Sequence, residues 1–593
     1  MHGGQRREAP CLHRTTESGD RRFDSRVERS SAGGVLMAQF SDPDQEAAYL
    51  LGMDAPSQRP TPQVLGAHEA ADAYDRSLAS WAPSVQSVDA DIIPDKQYVD
   101  ARAHDIIRND AFAMAGVQLH KDNIVGAQYR LNSKPRIRVL GLDDTWEDEF
   151  ATEVEEKFTN WAESLNNWVD ASRRNNLTSM VRLAVGTYLM GGEVLATAEW
   201  MRESDRAYRT AIQMIALDRL SNPGDMGYDM ERTRGGVRMS ASGAPLGYYI
   251  RQASPGGIYE WNKSVRWSYI RARNGLGRPQ VIHILEQDRP SQTRGMTQMS
   301  AALKEMRITK RFRDITLQNA VVNASFAAAI ESELPSAQAF ESLGGGDVGS
   351  SIINYAQQFL GAVATYGKNA RNMQVDGVKI PHLMPGTKLN MMPMGNPGGV
   401  GGEFEASLLR YLAADLGVSY EQLSRDYSET NYSSARAGMT ETWKFMQGRK
   451  KMVADRFAST IFRLWFEEAV NSGHIETMNA RSVPNMYEGL NMEAFTNAQW
   501  IGAGRGQIDE LKETQAAILR IKSRLSTHEQ EIARMGEDYR PIFRQIAREQ
   551  KEMEEMGIMP EEANAINAAS GDIREADEGN VDESAAEERK RDT

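Results

Sequence analysis

The sequence predicts an α+β chain of two or three packed regions, with a strand-rich block between two helical stretches. Three observations carry that expectation. The chain has 593 residues, 40% apolar and 25% charged, which is ordinary for a globular protein and too long for one hydrophobic core. Short apolar runs separated by Gly, Pro and Asn crowd residues 187–286, and long helical periodicities recur after residue 291.

Residues 1–97 read as a disordered or extended N-terminal arm. Within it, residues 1–36 are Arg- and Ser/Gly-rich, lack the apolar core of a signal peptide, and end before a second methionine, Met37; they read as a disordered arm or an over-extended start. Pro43, Pro56, Pro60, Pro62, Pro83 and Pro94 suit an extended course over a surface. From Tyr98, the spacing of Ile106, Ala113, Val117 and Ile124 predicts a helix that Gly126 stops. Further helices run from about Trp146 to Ala162 and from Leu177 to Gly186.

Thr187–Met190 and Val194–Trp200 flank Gly191-Gly192 as a predicted hairpin. Strand runs follow at Ala211–Leu217, Gly235–Ser240, Leu246–Gln252, Trp267–Arg273 and Gln280–Glu286. Beyond Ser291, Met299, Leu303 and Met306, then Ile308, Phe312, Ile315, Val322 and Phe326, predict one long helix. Residues 331–400 break up around Gly344-Gly345-Gly346, Pro381, Pro385, Pro393 and Pro397, with Met384, Met391, Met392 and Met394 as irregular core filler or a soft contact surface.

Helix returns with Phe404, Leu408 and Leu412 and stops at Gly417. After a polar loop, Met439, Trp443, Met446, Val453, Phe457, Ile461 and Leu464 mark the longest periodic segment, to about Val470. Ser526 with Glu529 predicts a capping box on a helix that Gly536 closes, and a last helix ends near Gly557 with Pro560 beyond. The acidic segment 561–593, without aromatics, reads as a solvated disordered tail.

The composition excludes several kinds of chemistry. With Cys11 as the one cysteine, an internal disulfide framework or a multi-cysteine zinc site has no raw material. No run reaches the roughly 18–20 apolar residues of a spanning helix, the richest being Ala320–Ile330 with Asn323 and Ser325 inside it, so no membrane partner is expected. A G-x-x-x-x-G-K-[ST] loop and a G-x-S-x-G elbow are both absent. His283-Ile284-Leu285-Glu286 is a fragment of a zincin pattern on a predicted strand, where a packed histidine is the simpler account. The acidic pairs Asp143-Asp144 and Glu155-Glu156 read as solvated surface.

Basic residues are unevenly placed. Lys304, Arg307, Lys310, Arg311 and Arg313 crowd the first long helix, and Arg436, Lys444, Arg449, Lys450, Lys451, Arg456 and Arg463 the second. They are either a solvated face or a set facing a phosphate backbone or a neighbouring subunit.

Six collinear segments then become specific: Arg102–Gly126, Gly191-Gly192-Glu193-Val194, Ile212–Leu220, Ile282–Gly295 (IHILEQDRPSQTRG), Ala413–Ala437 and Trp500–Gly536 with Gly504-Arg505-Gly506. Together they resemble the portal protein family of lambda-type tailed phages. The resemblance implies a portal-type fold with an α/β wing, long stem helices, a clip insertion and a helical C-terminal crown region, closing as a cyclic ring of about twelve subunits. It places the wing at 98–295, the first stem helix at 296–330, the clip at 331–402 and the second stem helix at 403–417. A tunnel loop follows at 418–432, the long helix and wing return at 433–500, and the helical crown-side region at 501–560.

The implied role is non-enzymatic and without cofactor, metal or catalytic residue. The ring nucleates head assembly at one capsid vertex and passes double-stranded DNA during packaging and ejection. Implied partners are the terminase large subunit, which supplies ATP hydrolysis, the major capsid and scaffold proteins, and head-completion proteins. The virion is the implied location, after assembly in the cytoplasm of a bacterial host. Arg425, Tyr427, Asn431, Tyr432 and Arg436, in the tunnel loop and the adjoining helix, are the candidate DNA contacts, touching backbone without base readout.

The formal net charge of −13 agrees with such a channel. Each neutralised phosphate releases counterions and tightens binding, so a duplex that must slide cannot be gripped along its length. The alternative is a DNA-processing virion enzyme, a metal-dependent nuclease, which predicts cleavage by the purified protein where the ring reading predicts none.

Overall fold

The computed structural model describes residues 80–557, apart from residue 82, residues 225–230 and 257–259, most of 327–400, residue 429 and residues 507–508. The chain divides at residue 85 into two units, and every element named below belongs to the second. Cys11 and the arm up to residue 79, the clusters at 344–346 and 384–394, and the acidic segment 561–593 lie outside the described residues.

The first helix, α1 (Val88–Asn109), starts inside the segment expected to be an arm. The Ser87 hydroxyl accepts the Ala90 N–H at 3.3 Å, and Asp89 and Asp91 set negative charge at the positive end of the helix dipole. Those signals, with Ile92, Ile106 and Ile107 buried on its inner face, outweigh the one N–H that Pro94 removes. The single helix expected up to Gly126 is in fact two. Asp110 is extended, and its carboxylate accepts the N–H groups of Phe112 and Ala113 at 3.0 Å, which ends α1 and opens α2 (Ala111–Ile124).

After β1 (Arg130–Ser133), helix α3 (Asp144–Ala162) is capped by Asp143 and buries Phe150, Val154, Phe158 and Trp161, one side of the helix. Helix α4 (Leu177–Gly191) corrects the expected hairpin. It runs through Thr187–Met190, and Gly192 caps it at φ +76° before strand β2 (Glu193–Trp200). A side chain at Gly192 would fall 2.1 Å from the Met296 carbonyl oxygen, so the glycine answers a close backbone approach as well as a left-handed cap.

The next strands are β3 (Thr210–Met214), β4 (Thr233–Arg234), β5 (Val237–Met239), β6 (Pro245–Arg251), β7 (Trp267–Arg271) and β8 (Val281–Leu285). Strands β3, β2 and β8 form one antiparallel sheet, with Ala198 opposite Ile212 and Leu195 opposite His283. Strands β4 to β7 form an antiparallel meander. A small core of Leu195, Ile215, Leu220, Tyr248 and Ile250 gathers residues of both sheets.

Next come α5 (Leu303–Phe326), the short hairpin β9 (Met373–Val375) and β10 (Val378–Ile380), and α6 (Gly401–Leu416). The expected loop at 418–432 is interrupted by a short helix, α7 (Tyr420–Ser424). The Ser419 hydroxyl accepts the Gln422 N–H while the Gln422 side chain accepts the Ser419 N–H, a reciprocal cap that nucleates the turn.

The long helix is continuous but not uniform. It consists of α8 (Tyr432–Arg449), a π-turn over Lys450–Asp455, and α9 (Arg456–Asn471). Helix α9 supplies the centre of the main core. Phe457, Ile461, Phe462, Trp465 and Phe466 are fully buried there, with Phe158 meeting Phe462 and Trp465 edge-on at 5.3 and 5.2 Å.

Strand β11 (Ala498–Ile501) returns to pair antiparallel with β1. The C-terminal helices are α10 (Glu510–Lys522), α11 (His528–Arg534) and α12 (Tyr539–Met556). Thr527, not Ser526, caps α11, because its hydroxyl accepts the Gln530 N–H at 3.2 Å; Glu529 instead pairs with Lys134 at 2.9 Å. Glu155 also departs from expectation, since it is not solvated surface. Its carboxylate accepts the Ser133 N–H and meets Arg540 of α12, both at 2.7 Å, and burial pushes its carboxyl up to about 7.

Candidate DNA-contacting loop and its supporting helix

The loop is built from two caps. Gly417, at φ +68°, ends α6, and a side chain there would lie 2.4 Å from the Phe445 ring of α8. Arg425, at φ +58°, ends α7 in a left-handed conformation that costs a non-glycine residue on the order of 1 kcal/mol. The chain then turns on Asp426, whose carboxylate accepts the N–H of Ser428 at 3.1 Å and its hydroxyl at 2.7 Å. Those two bonds hold the Asp426 carboxyl below its ordinary range, so a fixed negative charge sits beside Arg425. Asn431 closes the loop as the cap of α8, its side-chain oxygen accepting the Ser434 N–H at 2.8 Å.

Of the five candidate residues, Arg425, Tyr427 and Asn431 share this one loop and are exposed, and Arg436 stands exposed on α8 just beyond it. Tyr432 is the first residue of α8, and its side chain lies outside the described residues. The Asn431 side-chain oxygen is engaged in the cap, which leaves its amide N–H groups as donors for a partner. Sequence reasoning gave no role to Arg505, whose guanidinium donates to the Thr440 hydroxyl at 2.9 Å, one turn from Arg436. Its signal was the Gly504-Arg505-Gly506 run.

The second basic set splits in two. Arg436, Lys444, Lys451 and Arg456 are exposed, whereas Arg449 and Lys450 are buried. Arg449 donates to the Gln298 side chain just before α5 and lies over the rings of Tyr188 and Phe445. Lys450 donates to Asp455 at 2.9 Å and to the Trp500 carbonyl at 2.7 Å, and Asp455 accepts the Tyr129 hydroxyl at 2.5 Å. On α5, Arg313 pairs with Glu405 of α6 at 2.6 Å, tying the two expected stem helices together. Part of the charge read as outward-facing is therefore internal bracing.

A second polar centre lies at the start of β2. Glu193, fully buried at the start of β2, meets Arg294 at 2.6 Å, Lys96 at 3.4 Å and His283 at 3.0 Å. Desolvation alone would raise its carboxyl, but Arg294, Lys96 and His283 together hold it well below the usual range. Arg294 also donates to the carbonyls of Leu220 and Gly235, both at 2.7 Å. His283 thus serves as a packed partner of Glu193, as its strand position suggested. Among the described residues, no group of three or more His, Cys, Asp or Glu side chains is placed to hold a metal ion, and no helix is long and apolar enough to cross a membrane.

Residues 74–450 match the model of the phage portal protein, lambda family. The portal protein of Escherichia phage N15 is 38% identical over 503 residues, covering 84% of this chain and 92% of its own. Portal protein B of Escherichia phage lambda is 36% identical over 527 residues, covering 88% of this chain and 96% of its own. Among solved structures, the neck of an empty gene transfer agent particle aligns over 74% of this chain and 93% of its own at 12% identity, with a TM-score of 0.37, too low to argue a shared fold. The chain belongs to the lambda family of phage portal proteins.

Proposed function

We propose that the chain closes into a homo-oligomeric ring of about twelve subunits at one capsid vertex and forms the channel for double-stranded DNA. The observation that carries this reading is the identity of 38% and 36%, over most of the chain, with two curated portal proteins. In that ring, residues 98–295 are the wing, α5 and α6 the stem, 331–402 the clip and 501–560 the crown side. The terminase large subunit docks during filling, head-completion proteins follow it, and capsid and scaffold proteins surround the ring; the location is the virion.

Loop 425–431 with Arg436 is the proposed backbone contact. Its exposed Arg425 and Tyr427 support this, and Asp426 between them limits the net positive charge, as a channel that must release DNA requires. Negative-stain microscopy of the purified chain should show closed rings; monomers or open filaments would overturn the reading. Arg425→Ala with Arg436→Ala should leave rings intact and lower DNA retention in packaging assays. Unchanged retention would remove these residues from the channel.

A further inference from the structure

A six-residue π-turn lies in the middle of the long helix, and its side chains mark it as more than an irregularity. In a π-helix the backbone bonds i to i+5 and the turn is wider, so residues four apart and five apart both lie near one face. In an α-helix residues five apart stand about 140° apart and residues four apart are the neighbours. Lys450 and Asp455, five apart, are paired at 2.9 Å in the buried interior. Lys451, four before Asp455 and with its side chain 78% exposed, stands 3.8 Å from the other carboxylate oxygen. One carboxylate therefore faces two successive lysines within the π-turn, of which only Lys451 would remain its neighbour in an α-helix.

The surroundings are equally asymmetric. The Lys450 ammonium is also held by the Trp500 carbonyl and lies over the Tyr129 ring, which stacks on Trp500 at 5.6 Å. The α9 side of the turn is anchored by fully buried aromatics, while on the α8 side the residues from Ser433 to Met439 are exposed or half-buried. Gly448, just before the turn, has open space where a side chain would be, so packing does not require a glycine there.

We propose that the Lys450–Asp455 turn is a two-register joint in which Asp455 exchanges its buried partner Lys450 for Lys451, converting the π-turn to α-helix and turning α8 on its axis. One residue of register corresponds to a rotation of about 100° and a rise of about 1.5 Å. Because α9 is fixed in the core, α8 and loop 425–431 carry the motion. The contacts that resist it are the Arg449–Gln298 bond, the Thr442–Gln422 bond at 2.8 Å and the seat of Phe445 against Gly417. One of these is itself incomplete: Arg449 Nη1 and the nearby Asp415 Oδ2 are both buried without a hydrogen-bond partner among the described residues. The consequence for the loop rests on the channel reading above; the joint itself does not.

The test uses the full chain assembled in its ring, with Cys11→Ser, spin labels at Lys444→Cys on α8 and Met114→Cys on α2, and excess unlabelled subunits to isolate single pairs. Electron-spin distance measurements then read the register, since a half-exposed label turning by 100° moves on the order of 10 Å. Lys450→Met should raise the ratio of a second distance to the first at least about tenfold, and Lys451→Met should lower it. Deletion of Lys451, which restores an α-helix without changing the phase of α8, should give the first distance alone. A single unchanged distance in Lys450→Met overturns the joint. If Lys450→Met does not assemble, Tyr129→Phe, which removes the hydroxyl that holds Asp455 in the buried position, replaces it with the same expected rise, and a single unchanged distance there overturns the proposal. Two distances together with unchanged DNA retention in Arg425→Ala/Arg436→Ala would keep the joint and reject the channel loop; the opposite pair of results would do the reverse.

Discussion

Helices α8 and α9 are two halves of one continuous helix, yet they live in different environments. From Arg456 to Asn471 the inward positions are mostly apolar and buried, and the helix is held by α3, α4, β3, β8 and the Phe495 ring. From Tyr432 to Arg449 the same periodicity continues, but Met439 is 37% exposed and Met446 is the one apolar side chain among the described residues of α8 that is fully buried. The lesson is that periodicity reports which face is apolar, not what covers it. In a single subunit α9 has found its partner, whereas α8 is held by caps and a few polar clamps.

That contrast can be broken experimentally. The largest effect is expected from Phe462→Ala, which empties a fully buried site in α9: a loss of about 3–5 kcal/mol in denaturant unfolding, against less than about 0.5 kcal/mol for Met439→Ala in α8. Equal losses at the two sites would show that α8 is packed after all. Arg294→Met should rank close behind, because it leaves Glu193 buried without its main counter-charge; removal of one partner of a buried pair costs about 3–5 kcal/mol, and Glu193→Gln in the same background should recover part of it.

Glu155 sharpens the comparison for the docked helix α12. Its carboxyl, raised to about 7 in the folded chain by burial, favours the protonated form there relative to the unfolded chain. Its contribution is therefore fully present below the ordinary carboxylate range and lost as pH rises through about 7, with a slope of at most about 1.4 kcal/mol per pH unit. Unfolding measured across that range should show the decline in the native sequence and a flatter profile in Glu155→Gln. The smallest effect is expected from Asn431→Ala, which removes the cap of α8: about 1 kcal/mol, read as faster amide exchange in the first turn of α8 with α9 unchanged.

Much of this organisation is legible in the residues alone. Gly417, Gly536 and Gly557 mark helix ends where the structure has them or within a residue or two, because left-handed stops are local chemistry. The candidate loop was legible for the same reason, down to Asn431 as an exposed polar group at its end. What was not legible depended on distant partners. Thr187–Met190 has strand-like composition yet stays helical, since α4 is buried on most sides and Gly192 must pass against Met296. Glu155 looked like surface because its neighbour Arg540 lies far along the chain.

The amino-acid sequence by itself determined the glycine helix stops, most of the short strands between residues 193 and 285, the absence of nucleotide and nucleophile motifs and the family. Only the tertiary structure decided the register of the long helix. A π-turn costs backbone geometry that no local preference supplies; here it is selected by Tyr129 and Trp500, brought together by the pairing of β1 with β11 and receiving the Lys450–Asp455 pair between them. Those contacts join residues 50 and 326 positions apart, and a local reading of periodicity has no access to them.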